Sequence, residues 1–147
     1  MPDGRHAAGR RTAYGVAALL FCGLAGCNGG GPYPVGGRVE FEDGAPAAAM
    51  AGCTLTFTSE AVGKSAVGQV QPDGTFRLTT LRRNDGAFPG RYRVTVAQPH
   101  PNRERQQFDG PVVDLAYEAV GSTPLEATVE ATDNFFTFKV SRFKARR

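Results

Sequence analysis

Beyond residue 27 the chain holds one histidine, His100, and one cysteine, Cys53, so the groups that most often carry chemistry are scarce. A zinc centre needs about three or four nitrogen, sulfur or carboxylate ligands at recognisable spacings. No such set is visible, and neither a metal nor another cofactor is expected. A Ser-His-Asp or Cys-His enzyme would have to use His100 as general base, because no other imidazole follows residue 27. His100 stands between Pro99 and Pro101 in a polar stretch, which suits an exposed residue better than an oriented base. A hydrolase built on His100 is therefore the alternative, and a non-catalytic protein the main expectation. Cys53 opens a strand-like segment, where a buried free thiol behaves as a small hydrophobe. Gly63-Lys64-Ser65 has the ending of a phosphate-binding loop, but that motif needs glycine where Thr58 stands and a helix where a strand pattern runs on. Glu42, Asp43, Asp73, Asp85, Asp109 and Asp133 could hold calcium only by converging at one end of the fold. Acidic residues at such positions are ordinarily turn formers.

The elements that would position these groups are strands. A chain of 147 residues has room for one domain. With 41% hydrophobic and 21% charged residues, its composition is that of a globular protein rather than a disordered one. Period-two alternation marks Val39 and Phe41, then Leu55 and Phe57 among Thr54, Thr56 and Thr58, then Ala66 to Val70. Asp43-Gly44 and Pro72-Asp73-Gly74 are turns. Phe76 and Leu78 carry a fourth strand, and Tyr92, Val94 and Val96 a fifth. Leu125, Ala127 and Val129 carry a sixth, and Phe136, Phe138 and Val140 a seventh. Seven strands without an amphipathic helix predict an all-β, two-sheet sandwich over residues 35–147. Between Ala97 and Asp114 runs a long polar loop, a length that is usually functional or mobile.

Ahead of the domain, Arg5, Arg10 and Arg11 precede a mostly apolar stretch from Ala13 to Leu24, the pattern of a secretory signal. It falls well short of the roughly 20 apolar residues of a membrane-spanning helix. The stretch ends in Leu24-Ala25-Gly26-Cys27, which resembles the lipobox of bacterial lipoproteins. That resemblance implies recognition of Leu24, Ala25 and Gly26 by the signal peptidase, cleavage before Cys27, and lipidation of that cysteine, with a diacylglycerol on its thiol and palmitate among its acyl chains. Residues 1–26 would then be the signal peptide and 27–34 a glycine-rich tether. By resemblance to enterobacterial lipoprotein sorting, Asn28 stands where aspartate would favour inner-membrane retention, which implies the outer membrane of the cell envelope as the expected location. Arg10-Arg11 also suggest twin-arginine export, although Thr12-Ala13-Tyr14 departs from the usual context.

Within the domain, Val35-Gly36-Gly37-Arg38-Val39, Asp43-Gly44-Ala45-Pro46, Pro72-Asp73-Gly74-Thr75-Phe76 and Pro89-Gly90-Arg91-Tyr92-Arg93-Val94 resemble the carboxypeptidase regulatory-like domain family. The resemblance covers roughly Val35 to Val96. It implies a transthyretin-like, Greek-key β-sandwich and an accessory, non-peptidase role.

Without Arg5, Arg10, Arg11 and Asp3, fourteen basic residues face thirteen acidic ones, a formal charge of +1. So small a surplus argues against nucleic acid as a partner. The expected partners are membrane lipid through acylated Cys27 and an envelope protein or glycan. Positive charge gathers only at Lys139, Arg142, Lys144, Arg146 and Arg147. These cations would either shield an edge strand or contact an anionic envelope surface.

Overall fold

The computed structural model describes residues 30–61, 63–99 and 111–144. Seven strands form within them: β1 (Val35–Phe41), β2 (Thr54–Ser59), β3 (Ser65–Gln69), β4 (Thr75–Arg77), β5 (Gly90–Ala97), β6 (Glu126–Val129) and β7 (Asn134–Val140). Two single 3-10 turns, Ala47–Met50 and Leu115–Glu118, are the only helical pieces among the described residues. The strands make two sheets, ordered β4-β1-β7 and β3-β2-β5-β6. All pairs are antiparallel except β1 with β7. The chain is thus an all-β sandwich, and each strand read from alternation is present.

Alternation decides which side chains meet between the sheets. From one sheet come Val35, Val39, Phe41, Phe76, Phe138 and Val140; from the other, Leu55, Phe57, Ala66, Tyr92, Val94, Val96, Ala127 and Val129, all buried. Phe57 stands at the centre, its ring 5.9 to 6.3 Å from those of Phe76, Tyr92, Phe136 and Phe138. Such tilted and edge contacts add to the stabilisation that burial alone supplies.

The fourth strand is shorter than its pattern predicts. Alternation extends it to Leu78, but β4 ends at Arg77 because the chain changes sheets there. Leu78 still donates its N–H to the Val35 carbonyl, 2.9 Å away, while Thr79 exchanges backbone hydrogen bonds with Val67 of the other sheet. The crossing is close: a Cβ at Gly68 would lie 2.7 Å from the Arg77 carbonyl oxygen. Leu125, read as the start of the sixth strand, lies one residue before β6, half-buried against the core.

The parallel register defines two ends, since Val35 faces Asn134 and Phe41 faces Val140. At the first end the chain enters through Tyr33, which exchanges two backbone hydrogen bonds with Ala87 (2.8 and 3.0 Å). At the second end Ser141 and Phe143 pair with Asp114 and Val112. The Gln98 amide, itself buried, ties Val113 and Glu118 to the end of β5. It also accepts from Val112 N–H. The long polar loop is thereby pinned at both its ends, while its residues 100–110 lie outside the described part.

Candidate functional site

Two adjoining hollows flank β4. The larger, about 770 Å³, is lined by Gln69, Gln71, Thr79, Arg77, Arg83 and Asn84, among others. The smaller, about 430 Å³, lies over the outer face of the three-stranded sheet and includes Gly36, Arg77, Asn84, Asp133, Asn134 and Phe135. Thr75, Phe76, Arg77 and Asn84 line both, so the two make one trough with Arg77 and Asn84 on the ridge between its halves.

The sheet registers explain the shape of the smaller half. Gly36 faces Arg77 on one side and Phe135 on the other, which makes a row across β4, β1 and β7. Adjacent strands are about 4.8 Å apart, so Arg77 and Phe135 stand about 10 Å from each other. The residue between them has no side chain. The floor is therefore glycine backbone, with a guanidinium on one wall and a phenyl ring on the other. Phe135 is 72% exposed, the most exposed large hydrophobic residue described.

Arg83 and Asn84 belong to the loop between β4 and β5, which its own hydrogen bonds hold in shape. The Asp85 carboxylate accepts from the backbone N–H groups of Thr80 (2.7 Å), Leu81 (2.9 Å) and Arg82 (2.7 Å). Partial desolvation pushes that carboxyl's pKa up, but these donors outweigh it and hold the group below the usual carboxylate range. Asn84 has φ +60°, the only described non-glycine residue with positive φ, and its N–H bonds to the Thr79 hydroxyl. Left-handed backbone at such a position is a cost the surrounding loop must hold in place.

The charge of the trough is equally definite. Arg38, Arg91, Arg93 and Arg142 are in ion pairs, with Glu40, Glu126, Glu60 and Asp43 among their partners. Among the described residues, Arg77, Arg82 and Arg83 are in none. The single carboxylate lining either half is Asp133. The arrangement thus offers guanidinium groups, amides, hydroxyls and an aromatic face, a chemistry of holding a polar anionic ligand.

Of the site candidates singled out from the sequence, Asp133 lines the trough and the others that are described fall elsewhere. Leu24, Ala25, Gly26, Cys27, His100, Asp109, Arg146 and Arg147 lie outside the described residues. Arg142 is 3.8 Å from Asp43 and lies over the Phe41 ring, while Lys139 is exposed on β7, an outer strand of its sheet, in register with Glu40. Arg142 and Lys144 stand at the end opposite Tyr33. The acidic residues are divided between ends, with Glu42, Asp43 and Asp73 at one and Asp85 and Asp133 at the other. Asp43, Asp73 and Asp85 each accept backbone N–H groups in their turns. Among the described residues no group of three His, Cys, Asp or Glu side chains comes together to hold a metal. Ser65 begins β3 directly after Gly63 and Lys64, as a turn and strand start would.

Apart from Asp133, the polar and aromatic groups of the trough were not singled out as a site, yet one signal was present. Phe135-Phe136 are consecutive in a strand, so one ring must face outward, and Phe136 belongs to the buried phase. The pairing of Arg77 with Phe135 across Gly36 is a matter of register between distant segments and has no local signature.

Cys53 is 1% exposed, and burial, with a smaller contribution from the Glu118 charge, pushes its thiol up to about 11. Since the thiolate is the reactive form, alkylation of Cys53 at pH 8 should be on the order of a hundredfold slower in the native chain than in urea. Timed iodoacetamide labelling with peptide mass spectrometry reads this; equal rates would mean the thiol is accessible.

No helix among the described residues is long and apolar enough to cross a membrane. Comparison with protein-family models, curated proteins and solved structures finds no match to this chain.

Proposed function

We propose that the chain is an exported envelope lipoprotein, cut before Cys27 and lipidated there, whose sandwich is a non-catalytic binding module. On this reading the sandwich is of the Greek-key, transthyretin-like type implied by the carboxypeptidase regulatory-like resemblance. The observation that carries the binding role is the trough over β4, where Arg77 and Arg83, in no ion pair among the described residues, share a preformed hollow with Asn84 and an exposed phenyl ring. The anchoring role is supported by the Arg-rich leader, the apolar stretch and Leu24-Ala25-Gly26-Cys27. Acyl chains contribute about 0.8 kcal/mol per buried methylene, so two or three of them make a stable anchor.

This reading carries an orientation with it. Six residues lead from Cys27 to the Tyr33 strap, a reach of at most about 20 Å. The Tyr33 end then faces the anchoring bilayer, which would be the outer membrane. Arg142 and Lys144 face away from it, so an anionic surface that meets the C-terminal cations is the cell wall rather than the anchoring lipid.

Cys27→Ala is expected to abolish incorporation of a fatty-acid label and leave the chain with its leader uncut, because the thiol is the acyl acceptor. The check is metabolic labelling followed by gel mobility. Label retained by the variant would overturn the lipoprotein reading.

A further inference from the structure

We infer that the trough binds an acidic glycan, with the carboxylate of a uronic-acid-type sugar on Arg77 and the ring of that sugar over the Gly36 floor against Phe135. The inference deepens the binding role proposed above, but it does not depend on lipidation of Cys27.

Three features select this ligand class. Arg77 is exposed and free of any described ion pair, and a guanidinium fork matches a carboxylate in two parallel hydrogen bonds. Phe135 offers a bare aromatic face, onto which the C–H groups of a pyranose can pack, whereas a simple inorganic anion gains nothing from it. The gap of about 10 Å between them, floored by a residue without a side chain, admits one sugar ring. Around that ring stand Asn84, Asp133 and Thr75, which can exchange hydrogen bonds with sugar hydroxyls. The larger half continues along Thr79, Gln71 and Gln69 beside Arg83, a polar path for neighbouring sugars of a chain. The loop carrying Arg83 and Asn84 is already clamped by Asp85, so little ordering has to occur on binding.

Gly36 supplies a test that separates binding from folding. Its φ is not left-handed, and an added Cβ would meet only the Phe76 carbonyl oxygen at 3.4 Å and the Arg77 Cγ at 3.9 Å. Gly36→Val therefore fits the strand while filling the floor of the trough.

The full chain carrying Cys27→Ala, which removes the acyl chains, is titrated calorimetrically with polygalacturonate, neutral dextran and phosphatidylglycerol vesicles. Polygalacturonate should bind and dextran should not. Arg77→Gln, Phe135→Ala and Gly36→Val should each weaken binding at least tenfold, with the melting temperature of Gly36→Val at or above that of the parent. Absence of polygalacturonate binding overturns the inference, as does equal binding of dextran. Loss on Arg77→Gln with no effect of Phe135→Ala and Gly36→Val would reduce the site to plain charge attraction and overturn the sugar-ring contact. Vesicle binding that Arg77→Gln abolishes, without polygalacturonate binding, would assign the trough to a lipid headgroup instead. None of these outcomes bears on Cys27, whose acylation the labelling experiment decides separately.

Discussion

Truncation of Phe57 to alanine is expected to cost about 4 kcal/mol of stability and to lower the melting temperature by about 20 °C. Phe57 is fully buried on β2, and its ring contacts four other aromatic rings drawn from both sheets. Removing it deletes the buried hydrocarbon and leaves a void that two rigid sheets cannot close. The neighbours also lose a common partner, since Phe76 and Phe138 stack on each other at 6.1 Å and each also meets the Phe57 ring from the second sheet. Phe57→Leu should recover about half of the loss by refilling part of the volume. Urea unfolding checks both variants, with an unchanged dependence on denaturant showing that the native fold persists. A Phe57→Ala cost below about 1 kcal/mol would mean that the two sheets do not meet through this residue.

This core was legible in the sequence because a half-buried strand declares its inward face by alternation. Phe41, Phe57, Tyr92 and Phe138 all sit in phase with apolar neighbours two residues away, and all are buried. The turns at Asp43-Gly44 and Pro72-Asp73-Gly74 were equally plain, since Gly44 and Gly74 adopt positive φ that a side chain would resist. What local pattern could not give was pairing. The parallel partnership of β1 with β7 joins residues about a hundred positions apart, and from it follow both the placing of Tyr33 and Lys144 at opposite ends of the sandwich and the Arg77–Gly36–Phe135 row. The sheet change after Arg77 was hidden for the same reason: Leu78 continues the alternation although the strand has ended. A cation cluster at the C-terminus is conspicuous in sequence, yet Arg142 is spent on Asp43 and Phe41. The arginines that are in no ion pair among the described residues lie on β4 and in the following loop, where nothing nearby in sequence advertised them.

The Gly36-Gly37 pair shows how one dipeptide can carry two unlike constraints, and Gly37→Ala is expected to lower stability by about 3 kcal/mol where Gly36→Val does not. The residues are adjacent in β1, so their missing side chains would point to opposite faces of the sheet. On the outer face, Gly36 lines the trough. On the inner face, Gly37 stands opposite both Phe76 and Phe136, and a Cβ there would overlap the Phe136 carbonyl oxygen and lie 2.7 Å from the Phe76 ring. Its φ is not left-handed, so the constraint is one of space alone. Relief requires either the Phe76 ring, 2% exposed within the aromatic cluster, or the β7 backbone to move. β4 and β7 are both outer strands, but the Phe76 ring is held within the aromatic cluster, so the β7 backbone gives way more easily. The cost should therefore appear as weakened β1–β7 pairing, with amide exchange accelerated over Asn134–Val140 and unchanged between β2 and β5. Native-state hydrogen exchange of Gly37→Ala with mass spectrometry reads this directly. Wild-type protection throughout β7 would mean that the strand does not pack against Gly37 as the register requires.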